Sequence, residues 1–225
     1  MDFDRIVKNR RSVRLYCNQL VDNQLLEKVI DAGRYAPSAS NKQLWYFIIV
    51  DDEKVKRKLF DFGATHILLS PQSIFVLYGD PDPNWKYPDD IESASACVQN
   101  ILLKAYELGL GTCWVNHLPE DKVLKKILGI PSYFKIVGQI NIGYSRKEPK
   151  EVKRKKRLDE MISYNHFSNE YIKKRKNKKS FRNYLSKIKR YYVRKRKEKT
   201  KSFGWDNLKK PETGWPGLKN NDFES

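Results

Sequence analysis

The chain has 225 residues with a net charge of +18 and three cysteines. That is long enough to bury a real core, and an odd, widely spaced cysteine set excludes a disulfide scaffold or a paired-cysteine metal site. The charge is unevenly spread: residues 1–149 carry 20 Lys/Arg and 18 Asp/Glu, a net of +2, whereas residues 150–225 carry 25 and 9, a net of +16. A domain of ordinary charge over 1–165 followed by a basic extension over 166–225 is therefore expected. The polar start, Met1 to Arg5, is not a secretory leader pattern, and no apolar run approaches the ~20 residues of a membrane span. A cytoplasmic protein is the expectation.

In chain order, Phe3, Ile6 and Val7 make a short helical face. It ends at Arg10, Arg11, Ser12 and Arg14, a cluster of guanidiniums and a hydroxyl suited to a phosphate or other anion. A solvated basic turn is the plainer reading of the same cluster. Asp22 is placed to cap a helix with Leu25, Leu26, Val29 and Ile30, ending near Gly33. A polar, turn-rich segment from Tyr35 to Gln43 leads into Trp45–Val50, an apolar run of strand length. Asp51 opens a charged helix through Leu59 and Phe60. Ser73–Tyr78 reads as a second strand. Ala94, Cys97, Val98, Ile101, Leu102, Ala105 and Leu108 form the stripe of a central buried helix over Asp90–Leu108. Thr112–Val115 reads as a third strand, Leu118–Leu128 as a helix and Lys135–Ile142 as a fourth strand. The interleaving predicts an α/β or α+β domain, with a sheet of about four or five strands flanked by helices.

The remaining titratable residues are read conservatively. His66 and His117 are read as surface or capping residues over acids or substrate contacts, Cys113 as a small core residue over a redox-active thiol, and Asp80 and Asp82 as turn formers over metal ligands. No metal site and no side-chain catalytic constellation is expected. In the extension, Phe181, Tyr184, Leu185, Ile188, Tyr191 and Tyr192 recur at helical spacing among cations. That pattern suits a solvated tail, an anionic membrane surface or a polyanion, while no motif for sequence-specific nucleic-acid binding is present.

Four motifs in order carry a resemblance. They are Asn9 to Tyr16 (NRRSVRLY), Ala36 to Trp45 (APSASNKQLW), Gly109 to Trp114 (GLGTCW), and Lys155 to Arg157 followed by Leu158. Together they resemble the FMN-dependent nitroreductase family over residues 1 to about 162. The resemblance implies an α+β nitroreductase-like fold with a mixed sheet. It also implies a homodimer with FMN at the subunit interface, and hydride transfer from NADH or NADPH to a small-molecule acceptor such as a nitroaromatic or quinone. By the same resemblance, Arg10, Arg11, Ser12 and Arg14 would hold the FMN phosphate and ribityl chain, with Lys155 and Arg157 as a later basic pair. Pro37, Ser38, Ala39, Asn41 and Gln43 would be the loop supplied by the partner subunit. Trp114 to Asn116 would run past the flavin ring. Asn116 and His117 stand where the family often has two small residues, and Leu44 replaces a proline. The opposing class is an accessory or binding protein on such a scaffold, with the basic tail as its working part.

Overall fold

Four apolar runs form the strands and the amphipathic stretches between them form the helices. The computed structural model describes residues 2–64, 66–79 and 89–167. Asp80, Asp82 and the aromatic stripe Phe181–Tyr192 lie outside the described residues. The chain divides into two units, Met1–Val152 and Lys153–Ser225.

Within the first unit the helices are α1 (Phe3–Asn9), α2 (Asn23–Arg34), α3 (Glu53–Asp61), α4 (Asp89–Glu107) and α5 (Asp121–Leu128). The strands are β1 (Trp45–Val50), β2 (Gln72–Tyr78), β3 (Gly111–Val115) and β4 (Lys135–Gly143), in the spatial order β1-β2-β4-β3. All three strand pairings are antiparallel. The sheet expected as mixed is thus antiparallel among the described residues: the excursions through α3 and α5 return the next strand beside and opposite to the one before, while the α4 crossover sets β3 in the direction of β2 but on the far side of β4. The parallel contact is an isolated bridge between Ser12 and Thr112.

Each face of the sheet is covered. On one face Ile74, Val76, Tyr78, Ile140 and Ile142 meet Leu26 and Val29 of α2 and the α4 stripe of Ala94, Cys97, Val98, Ile101 and Ala105. On the other, Phe75 and Leu77 meet Leu59 of α3, Ile67 and Leu124 of α5. Burial of each large side chain is worth about 1.5–3 kcal/mol, so β2, buried along its whole length, is the centre of the fold.

Local signals set the helix ends. Asp22 accepts from the Gln24 amide at 2.8 Å, and Asp52 caps α3 through the Lys54 and Val55 amides. Gly33 does not terminate α2. It lies inside the helix where α2 presses on α4, and an added Cβ would stand 2.9 Å from both Cys97 Sγ and Ile101 Cγ1. The helix expected from Leu118 begins only at Asp121. A bulge where β2 meets β4, between Val76 and Leu77, leaves Val137 without a Cα partner and re-aims the strand just before Gly138.

The second face also holds a buried polar group. Ser73 Oγ donates to Asn141 Oδ1 at 3.0 Å, Gln139 Nε2 donates to the same oxygen at 2.5 Å, and Asn141 Nδ2 donates to the His66 carbonyl at 2.7 Å. Pairing of this kind offsets the desolvation of amides inside the sheet layer.

Candidate functional site

The arm that follows α1 lies along the β3 side of the sheet. Ser12 bridges Thr112, and the Val13 amide donates to the Thr112 carbonyl at 2.9 Å. Tyr16 bridges Ser145, and the Cys17 amide donates to the Tyr144 carbonyl at 2.9 Å. The Tyr16 hydroxyl donates back to the Val13 carbonyl at 2.7 Å, and burial raises its pKa far above the ordinary phenol range. The arginine cluster is therefore a fixed, extended segment and not a loose turn.

Its members differ. Ser12 and Arg14 are exposed, and Arg10 is half-buried and engaged. Arg11 folds back on the end of α1. Its Nη1 donates to the Lys8 carbonyl at 2.6 Å and the Arg10 carbonyl at 2.8 Å, where a cation also complements the helix dipole. Arg11 Nε is buried without a hydrogen-bond partner.

The same bridge brings the arm beside β3, which carries Trp114 and ends just before Asn116. From Thr112 to Asn116 an extended chain advances about 13 Å. The Trp114 indole lies on Gly138 of β4: an added Cβ there would collide with Nε1, stand 3.0 Å from Cδ1 and 2.8 Å from Asn116 Oδ1. Asn116 thus turns its amide oxygen toward Gly138, while the residue as a whole remains exposed. Trp114 Nε1 and Thr112 Oγ1, on one face of β3, are both buried without a partner. His117 is exposed and Cys113 is buried in the strand.

The loop from Pro37 to Gln43 is built differently. Ser40, Asn41 and Gln43 have φ of 50°, 55° and 53°. Left-handed geometry costs a non-glycine residue about 1–2 kcal/mol, least for asparagine. Local bonds hold it: Asn41 N to Ser38 O at 2.9 Å, Lys42 N to Ala39 O at 3.1 Å, Gln43 N to Ser38 Oγ at 3.1 Å, and Gln43 Nε2 to Asn41 Oδ1 at 2.8 Å. The loop is also tied to α4, where Ser93 Oγ accepts from the Ala39 amide at 3.1 Å. Pro37, Ser38 and Ala39 line an open cavity of about 390 Å³ with Glu92, Ser93 and Ala96. Sequence reading took α4 only as a core stripe and passed over Glu92 and Ser93. Their signal was a polar pair next to the small, buried Ala94.

Lys155 and Arg157 belong to the second unit, where both are exposed. Arg157 makes a two-pronged pair with Asp159, at 3.1 Å from Nε and 2.8 Å from Nη2. Among the described residues no group of three or more His, Cys, Asp or Glu could hold a metal ion, and no helix is long and apolar enough to cross a membrane.

The expected flavin can be tested against this donor set. A phosphate near-dianion needs convergent cations and N–H or O–H donors, and Ser12 and Arg14 offer them outward beside Arg10. At Gly138 the missing Cβ leaves the space on β4 that the Trp114 indole and the Asn116 amide occupy. These residues fit the group.

Comparison with known proteins gives the same answer. The Nitroreductase family model matches residues 7–79 and 62–144. A protein of Archaeoglobus fulgidus, provisionally named NADH dehydrogenase/NAD(P)H nitroreductase, is 34% identical over 152 residues, covering 64% of this chain and 86% of the relative. The solved structure of an FMN-dependent nitroreductase from Clostridium difficile R20291 is 29% identical with a TM-score of 0.61, covering 72% of this chain and 98% of that one. A nitroreductase family protein from Clostridium difficile 630 is 26% identical with a TM-score of 0.65, covering 74% and 100%. With the family model spanning more than half of its length, this chain belongs to the nitroreductase family.

Proposed function

We propose that the protein is an FMN-dependent oxidoreductase that takes hydride from NADH or NADPH and passes it to a nitroaromatic, quinone or similar conjugated electrophile. The observation that carries this reading is the Ser12–Thr112 bridge, which lays the guanidinium arm against the strand bearing Trp114. It is supported by membership of the family and by the names of relatives that use NAD(P)H.

In this reading Arg10, Ser12 and Arg14 bind the phosphate, and Arg11 fixes the end of α1 from which they project. The Trp114–Asn116 backbone borders the ring, where an N–H donor favours negative charge that develops during reduction. Bound FMN supplies the hydride chemistry itself, so the chain needs no acid–base or nucleophilic side chain. Pro37, Ser38, Ala39, Asn41 and Gln43 serve the site of a second subunit. Phe3 and Val7 of α1, 67% and 43% exposed, are apolar surface that a homodimer would cover.

The test is the absorbance of purified protein after incubation with FMN. A band near 450 nm (roughly that of oxidised flavin) that bleaches on adding NADH or NADPH is expected. Colourless protein that cannot be reconstituted removes the reading and favours an accessory role on the same scaffold.

The charge split, +2 over residues 1–149 against +16 over residues 150–225, favours a separate role for the basic tail, attachment of the dimer to an anionic surface. Retention on anionic vesicles should then be strong at low salt and lost at high salt. Equal retention on neutral vesicles would count against it.

A further inference from the structure

The conformation of the Pro37–Gln43 loop is not one its sequence prefers. Three non-glycine residues, Ser40, Asn41 and Gln43, sit in the left-handed region within four positions. Such a segment relaxes unless its surroundings hold it. The bonds donated by the Asn41, Lys42 and Gln43 amides and by Gln43 Nε2 are internal to the loop, so they move with it. The bond from the Ala39 amide to Ser93 Oγ reaches α4, whose next turns are locked in the core through Cys97, Val98 and Ile101. Ser93 is itself buried, at 5% exposure, on the wall of the cavity that the loop borders. A hydroxyl there accepts from an amide that alanine would leave without that partner.

We propose that Ser93 is the positioning residue of the cofactor site: it registers the Pro37–Gln43 loop on α4 in the shape that meets the flavin. This rests on the FMN reading above. A loop already in its bound shape does not lose ordering free energy on binding, so releasing it should weaken affinity without touching the phosphate contacts. Ser93 makes no claim to hydride chemistry. Its role runs through Ala39 and the three residues of unusual φ.

The experiment uses the full chain with Ser93→Ala and Ser93→Thr, the latter keeping a hydroxyl at the same carbon. Two quantities are read: FMN affinity from quenching of flavin fluorescence, and amide hydrogen exchange at Ala39 in the flavin-free protein. Ser93→Ala should bind FMN about five- to tenfold more weakly, the effect of one lost buried hydrogen bond. Exchange at Ala39 should rise, while the amides of Ile101 and Leu102 stay protected. Ser93→Thr should stay within about twofold of the parent affinity by the same reckoning.

Parent-like affinity or parent-like Ala39 exchange in Ser93→Ala overturns the proposal. Equal weakening in both variants overturns it too, because the hydroxyl would then not be the agent. Alanine is the better helix former, so α4 should persist. If Ser93→Ala nonetheless unfolds, the Ser93→Thr affinity decides the matter alone, retained affinity supporting the anchor and lost affinity refuting it. Failure of the parent protein to take up FMN would remove the functional reading, while Ala39 exchange would still decide whether Ser93 holds the loop.

Discussion

Replacing Gly138 with alanine tests the geometry at the centre of the site. The backbone there is not in the left-handed region, so the cost is steric. The new Cβ would collide with Trp114 Nε1 and lie 2.8 Å from Asn116 Oδ1 and 3.0 Å from Trp114 Cδ1. The exposed Asn116 amide can swing aside, but the indole cannot yield cheaply. The indole is packed against the α2/α4 core, and β4 is hydrogen-bonded on both sides. Overpacking in a filled interior costs about 1–3 kcal/mol. A value of about 2 kcal/mol corresponds to a fall in Tm of about 4–8 °C for a chain of this size. Displacing Trp114 and Asn116 should also weaken flavin uptake. Thermal unfolding of the flavin-free protein and FMN titration measure the two effects separately. A double-mutant cycle with Trp114→Phe isolates the cause: if the indole is the obstacle, the pair should be at least ~0.5 kcal/mol more stable than the sum of single changes. Parent-like Tm and affinity for Gly138→Ala would refute the reasoning, as would an additive cycle.

Two neighbouring arginines should separate cleanly. Arg10→Ala should weaken FMN binding roughly ten- to a hundredfold, whereas Arg11→Ala should mainly lower stability, by about 1 kcal/mol, through loss of the α1 carbonyl contacts. Matched urea unfolding and flavin titration would expose the reverse pattern. Burial pushes the Cys97 thiol from its ordinary 9.0 up to about 12. Below pH 9 the thiol is protonated in both states and its contribution is fully present. As pH rises from 9 toward 12 the unfolded chain loses the proton first, so stability should fall by about 1.4 kcal/mol per pH unit. Tyr16, also raised by burial, acts in the same direction above its ordinary 10.0. Urea midpoints at pH 8, 9.5 and 10.5 should therefore decline less steeply in Cys97→Ala than in the parent, and identical slopes would contradict the assignment.

The sequence by itself determined the four strands, whose apolar runs Trp45–Val50 and Ser73–Tyr78 admit little else. It determined the α4 stripe, because a buried helix must place Ala94, Cys97, Val98, Ile101 and Ala105 on one side. It also determined the candidate arm, since guanidinium density is a property of composition. Only tertiary structure decided what these residues meet. Gly33 looks in sequence like a helix stop, yet it is the contact point where α2 approaches α4. The value of Gly138 depends on Trp114, distant in sequence and carried by a neighbouring strand. Arg11, identical in type to Arg10, is turned to the α1 carbonyls because the chain leaves that helix in extended geometry. Ser93 was passed over for the same reason: a hydroxyl in a helix acquires its meaning from the amide brought against it. Periodicity and composition are local and survive in the sequence, whereas the partner of a side chain is fixed by packing between segments far apart along the chain.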